Sequence, residues 1–222
     1  MIRLFDILLS SIAILILFPF MIPIMVALKL TGEHDIFYTQ ERTGKNKKVF
    51  KVLKFATMLR NSPNMAGGLI TIDNDPRILP MGKFLRKTKI NELPQLVNIF
   101  LGQMSIIGYR PFALKHYSLY EPKIQETISK IPPGLSGIGS IVFRNEEQIL
   151  QSLDNREYFH DELITPYKGL LECWYVENRN LKNYFKLIFY TILVVITPDN
   201  SSWKKMFPDL PPIPEELKAF IE

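Results

Sequence analysis

The stretch FLRKTKINELPQLVNIFLGQMSIIGYRP, residues 84–111, decides how the chain is read. It sets Arg86, Lys87 and Lys89 beside Glu92, then a Leu93-Pro94-Gln95 step, then an apolar run, then Gly108-Tyr109-Arg110-Pro111. Leu93, Leu96, Val97 and Phe100 recur at helical spacing, so that face is expected in the core and is not a cofactor-binding stripe. Asn91 suits the N-cap of this helix, and Pro94 is tolerated in its first turn. Gly102 ends the helix, and Met104 to Ile107 reads as a short apolar strand. Cations, one carboxylate and a turn-borne arginine in one unit suit an anionic ligand such as a phosphate ester. The same letters also describe a short basic helix followed by a turn.

Working back from this stretch, Asp75-Pro76-Arg77 predicts a helix start, with a helix from about Pro76 to Thr88 carrying Arg77, Lys83, Arg86 and Lys87. Residues 60–68 are rich in Asn, Pro and Gly and read as a loop. Asp35 to Lys45 and Lys47 to Met58 both alternate, with Gly44 and Asn46 between them, which predicts a β-hairpin.

The first element is hydrophobic. No charge occurs from residue 7 to 28, a run of 22 residues, which passes the usual threshold of about 18 for a membrane segment. It is too long for a signal peptide, and no small-residue cleavage site follows it. Pro19 and Pro23 lie inside the run, so a break is expected at Phe18-Pro19. Each half is then roughly 17 Å of helix, too short to cross a hydrocarbon core of about 30 Å. Arg3 precedes the run, and Lys29, Arg42, Lys45, Lys47 and Lys48 follow it. Cations on both flanks define no inside and outside, which favours a re-entrant segment with both ends in the cytoplasm over a kinked spanning helix.

Downstream, a helix is expected through about Tyr117 to Lys130, then a rigid loop at Pro132 to Gly137 whose glycines permit close backbone approach. Glu146 to Tyr175 reads as amphipathic helix with a break near Thr165-Pro166. Tyr184 to Thr197 reads as a buried or membrane-surface helix too short to span. Trp203, Met206 and Phe207 beside Lys204 and Lys205 form an interfacial-type patch.

Bulk properties narrow the classes. The chain has 222 residues, 47% hydrophobic, with net charge +5, enough for one domain with an anchor. The basic balance fits an anionic membrane surface or anionic substrates. No lysine run interleaved with aromatics marks a nucleic-acid groove, so no nucleic-acid partner is expected. A single cysteine, Cys173, excludes an internal disulfide and a cysteine metal cluster. His34, His116 and His160 lack zinc-ligand spacing and read as ordinary surface or core residues. The expected fold class is α/β (α+β) and mostly helical: a broken membrane helix over 1–32, a cytoplasmic domain with a small hairpin and surface helices over 33–207, and a peripheral tail over 208–222.

These motifs, in this order, resemble the bacterial sugar transferases, the monotopic phosphoglycosyl transferases. The resemblance runs from the proline-containing hydrophobic segment through Phe37 to Gly44, Lys54 to Met58, Leu85 to Gln95, Gly108 to Pro111 and Pro133 to Gly137, to Tyr175-Val176-Glu177-Asn178. It implies transfer of a phosphosugar from a UDP-sugar to polyprenyl phosphate with release of UMP and a requirement for Mg2+. It also implies monotopic attachment to the cytoplasmic face of the bacterial inner membrane, and downstream glycosyltransferases as possible partners. In the family an Asp-Glu dyad does the chemistry, with the Asp attacking phosphorus. Here the dyad positions are Asn91 and Glu92, with Glu92 also the metal ligand. Arg86, Lys87, Arg110, Pro111 and Arg144 fall where phosphate and substrate contacts are expected. The chain departs from the family pattern at Asn91 (Asp), Phe18 (Ser), Ala56 (Arg), Tyr109 (Pro) and Gly139-Ser140-Ile141 (Trp-Gln-Val). A neutral amide cannot act as a carboxylate nucleophile and is a poor magnesium ligand. Two readings follow: a transferase that starts a lipid-linked glycan, and a silent relative that binds nucleotide-sugar, lipid phosphate or a glycosyltransferase.

Overall fold

The computed structural model describes residues 1–65, 75–151, 153–197 and 202–221. The expected loop over 60–68 lies partly outside them. The chain is mostly helical, with two sheets of two strands each. In order come α1 (Ile2–Leu30), β1 (Phe37–Thr43), β2 (Val49–Phe55), α2 (Pro80–Lys87), α3 (Gln95–Phe100), β3 (Ser105–Ile107), α4 (Leu114–Tyr117) and α5 (Pro122–Ile128). Then follow β4 (Gly134–Ser136), α6 (Ile138–Val142), α7 (Glu146–Gln151), α8 (Arg156–Tyr158), a π-helical turn (Phe159–Ile164), α9 (Thr165–Glu177), α10 (Leu181–Ile196), α11 (Trp203–Met206) and α12 (Glu215–Ile221).

Among the described residues, α1 alone is long and apolar enough to cross a membrane. The expected break at Phe18-Pro19 is absent as an interruption of helix, because α1 stays helical through Pro19 and Pro23. A proline forfeits one backbone bond, whereas unwinding the neighbouring turns would free several groups where no water can satisfy them. The inner stripe of α1 touches the rest of the chain along its length. Arg3 donates to the Ile99 and Phe100 carbonyls at 2.5 and 2.6 Å. Asp6 accepts from Ser105 Oγ (2.8 Å), the Ile106 N–H (2.9 Å) and Tyr184 Oη (2.8 Å). Ala13, Ile14 and Leu17 pack on Val52, Leu96, Ile99 and Met104, and Met21 and Leu28 pack with Phe55 and Leu85. Positions 3, 6, 10, 13, 14, 17, 21, 24, 25 and 28 form one helical face.

The hairpin forms as expected. β1 and β2 are antiparallel, with Gln40 opposite Val52 and Arg42 opposite Phe50. Asn46 and Lys47 take positive φ in the turn. Asn98 then ties β2 to α3: its Oδ1 accepts from the Leu53 N–H and its Nδ2 donates to the Lys51 carbonyl, both at 2.9 Å. The side-chain amide thus stands in for a third strand.

Several boundaries differ from expectation. α2 starts at Pro80, not Pro76, because the Asp75 carboxylate is committed to the buried Arg77 guanidinium, with Nη2 at 2.6 Å, and cannot cap a helix. Asn91 caps nothing either. It lies buried in a 3-10 turn, Ile90–Glu92, and Pro94 precedes α3. The helix expected over 117–130 is split into α4 and α5. The Pro132–Gly137 loop contains β4, which pairs in parallel with β3. A Cβ at Gly134 would overlap the Gly108 backbone, and one at Gly137 the Gly108 carbonyl, so these glycines let two main chains touch. The break foreseen near Pro166 appears as the π turn just before it. In segment 208–222, expected as a peripheral tail, Leu217 and Ile221 are buried in the largest core cluster with Tyr167, Leu171 and Tyr190. The spacing of Leu217 and Ile221 gives α12 one apolar face to dock.

Candidate active site

Three elements converge to place Glu92. Lys89 adopts a left-handed conformation with φ 58°, turning the chain sharply between α2 and the 3-10 turn. That turn sends Glu92 into a cavity and buries Asn91, whose Oδ1 has no hydrogen-bond partner. β2 brings Lys54, whose Nζ lies 2.8 Å from Glu92 Oε1. The turn after β3 brings Arg110, 4.0 Å from the same oxygen. β1 supplies Arg42, which donates to Gln40 Oε1. Burial opposes the Glu92 charge, but Lys54 and Arg110 overcome it and hold the carboxyl well below the usual range. Burial and the neighbouring Arg110 bring Arg42 down to about 10.

The cavity is lined by Arg42, Lys54, Glu92, Gln95, Arg110, Pro111, Phe112, His116, Glu146, His160, Thr165 and Lys168, among others. Of the residues singled out in the sequence, Glu92, Arg110 and Pro111 are therefore together. The other four are not in this wall. Arg86 reaches Met58 Sδ at 3.8 Å, Lys87 and Arg144 are exposed, and Asn91 is buried beside the cavity. Arg42, Lys54 and Gln95 sit inside motifs quoted above but were not assigned to the site. The Gln95 amide is buried and its Nε2 lacks a partner, a donor available to a phosphate oxygen. Glu146, His160 and Lys168 carried only the signal of an amphipathic helix. His116 and His160, expected to be ordinary, belong to the cavity wall because the π turn and α4 face each other, with ring centroids 5.6 Å apart.

Behind Arg110 lies Glu172, a residue of the helix expected over Glu146 to Tyr175 to which the sequence assigned no role. It is 2% exposed and its Oε2 lacks a hydrogen-bond partner. A Cβ at Gly139 would meet its Oε1. Burial raises its pKa to about 8, against the pull of Lys168 and the Gly139 and Arg110 N–H groups. The folded pKa exceeds the unfolded value of about 4.3. Its contribution is therefore fully present below that value and is lost as pH rises through about 8. Glu172→Gln should then gain in Tm on the parent as pH goes from 5 to 9, read by thermal melts at each pH. A Tm difference independent of pH would contradict this.

Comparison with known proteins places the whole. A family described as bacterial sugar transferase matches residues 1–198. The chain belongs to that family. Among bacterial sugar transferases it is 31% identical over 213 residues to the undecaprenyl-phosphate galactose phosphotransferase of Salmonella typhimurium, covering 90% of this chain and 41% of that protein. It is 35% identical over 159 residues to the UDP-glucose:undecaprenyl-phosphate glucose-1-phosphate transferase of Klebsiella pneumoniae, covering 69% of this chain and 34% of that protein. It is 38% identical over 144 residues to the exopolysaccharide production protein PSS of Rhizobium leguminosarum bv. phaseoli, covering 63% and 72%. This chain thus spans well under half of the first two sugar transferases.

Proposed function

We propose that the protein transfers a phosphosugar from a UDP-sugar to polyprenyl phosphate at the cytoplasmic face of a bacterial inner membrane. The supporting observation is one anionic carboxylate, Glu92, set among Arg42, Lys54 and Arg110 in a single cavity. Three guanidinium and ammonium groups against one carboxylate leave excess positive charge for a diphosphate. Gln95 Nε2 adds a neutral donor. Relatives named for this chemistry support the donor and acceptor classes.

Glu92 takes the chemical role in this reading. Its carboxylate oxygen attacks the sugar-bearing phosphorus, and the bond from that phosphorus to the oxygen of UMP breaks, with UMP leaving as an anion. A phosphate oxygen of the lipid then attacks the same phosphorus and releases Glu92. Lys54 and Arg110 steady the charge throughout. Among the described residues no cluster of three or more His, Cys, Asp or Glu gathers to hold an ion. Glu92, with one oxygen on Lys54, is the carboxylate that would hold Mg2+, its shell completed by phosphate and water. When bound, the metal would neutralise phosphate charge. Asn91, a neutral amide outside the cavity wall, favours a second reading in which the protein binds these ligands without turnover. UMP release across UDP-sugars, with and without polyprenyl phosphate, separates the two. Repeated turnover that requires the lipid supports transfer, and ligand binding without release supports the silent binder.

The monotopic topology is part of the same proposal. Both ends of α1 touch the same domain, Arg3 on α3 and Leu28 on the Phe55–Leu85 cluster. A helix fastened to one domain at both ends supports a topology in which both ends stay on one side of a bilayer. Its other face exposes Leu8, Leu15, Phe18 and Phe20. The same surface continues through Phe189, Ile192 and Ile196 of α10, joined to α1 where the Phe5 and Phe185 rings meet at 5.0 Å. This apolar surface fits a domain lying in one leaflet. Cysteines placed at positions 2 and 32 should both label only from the cytoplasm. Labelling of either from the periplasm would overturn the topology.

A further inference from the structure

We propose that Glu146, His160 and Lys168 form the subsite that reads the hydroxyl pattern of the sugar on the donor. This rests on the donor class proposed above and adds the residues that discriminate within it. The cavity wall divides by contact into two groups. Around Glu92 the cations outnumber the anion, which suits phosphates. Around Glu146 the cations do not outnumber the anions: Lys168 Nζ lies 2.5 Å from Glu146 Oε2, and His160 Nδ1 lies 2.6 Å from Asp161 Oδ1. A highly polar wall without an excess of cations gives a phosphate no counter-charge but offers directional donors and acceptors, the chemistry that recognises a polyol.

The geometry leaves room for such a group. His160 Nε2 stands 3.6 Å from Glu146 Oε1, beyond direct hydrogen-bond length, so neither atom is used up by the other and both can address hydroxyl groups on the cavity side of the pair. Asp161 on Nδ1 fixes the imidazole, so Nε2 keeps its role toward the cavity. Glu146 and Lys168 are held in low-dielectric surroundings, with the Lys168 ammonium 5.2 Å from the Phe143 ring centroid. The π turn carries His160. Such turns insert one residue into a helix and recur at functional sites. Thr165 adds a hydroxyl to the same wall.

The test uses the full chain in detergent or nanodiscs. Binding of UMP and of UDP-hexoses that are epimers or 2-acetamido derivatives of one another is measured by calorimetry. UMP release is measured in parallel. His160→Gln keeps a hydrogen-bonding side chain and leaves the Glu146–Lys168 pair intact, so it guards against a Glu146→Gln variant that fails to fold. Both variants should change the preference between sugar epimers by about tenfold or more, with UMP affinity within about twofold of the parent. An unchanged epimer preference would overturn the proposal. Equal weakening of UMP and every UDP-sugar would assign these residues to the nucleotide instead. If the parent releases no UMP from any donor, transfer fails, but the binding ratios still decide the subsite.

Discussion

Glu92→Gln should lower UMP release by about a thousandfold or more, the scale seen when a covalent catalyst loses its reacting group. The amide keeps the shape of the side chain and removes its charge. Lys54 and Arg110 would then face a neutral group, so phosphate binding should persist or tighten while turnover disappears. That split between binding and rate is what marks Glu92 as chemical and not merely structural. Intact mass of the parent incubated with donor alone should show a phosphosugar adduct that polyprenyl phosphate discharges. Asn91→Asp tests the neighbouring position. Asn91 is buried, caps no helix and leaves Oδ1 unpaired, so an Asp there adds a poorly solvated anion close to Glu92. No gain in rate is expected. If Asn91→Asp restores turnover to the Glu92→Gln protein, the nucleophile belongs at 91 and the assignment to Glu92 falls. If Glu92→Gln retains full turnover, residue 92 has no part in the reaction.

Asp6→Ala should lower Tm by roughly 10 °C, from a loss of about 3–5 kcal/mol in a chain of this size. Asp6 is 1% exposed and accepts from Ser105, Ile106 and Tyr184. Those donors come from β3 and α10, so one carboxylate pins the start of α1 to two distant parts of the domain. Alanine leaves three buried donors unpaired. Asp6→Asn keeps one acceptor oxygen and should fall between the two. Melting in detergent, followed by circular dichroism, reads the result. A Tm within about 2 °C of the parent would mean that the apolar stripe alone holds α1 in place.

Much of the fold was legible because its signals are local. Alternation in β1 and β2 and the apolar run of α1 each follow from neighbouring side chains. The site was half legible. Glu92, Arg110 and Pro111 could be found by motif, and the structure brings them together. Arg86 and Arg144 matched motifs equally well but lie outside the cavity wall, since a motif fixes spacing along the chain and not which way a helix turns. Asn91 looked like a cap because caps are recognised by composition, but the left-handed Lys89 redirects the backbone before it. The Glu146–His160–Lys168 group was illegible for another reason. Its members come from α7, the π turn and α9, and no short-range pattern announces the extra residue of that turn.

The pairing of Arg42 with Arg110 bears on how the protein survives in the cell. Two guanidinium groups and Lys54 gather around one carboxylate, with Lys54 and Glu92 largely withdrawn from water and Arg110 at the half-exposed rim. Their mutual repulsion works against the compact state, and a doubly charged ligand relieves it. Such a ligand would behave as a missing piece of the interior, raising apparent stability by mass action. A cell rich in nucleotide-sugar would keep this protein folded longer, and a starved cell would expose it sooner to proteolysis. Abundance of the protein would then track supply of the proposed donor without a dedicated regulator.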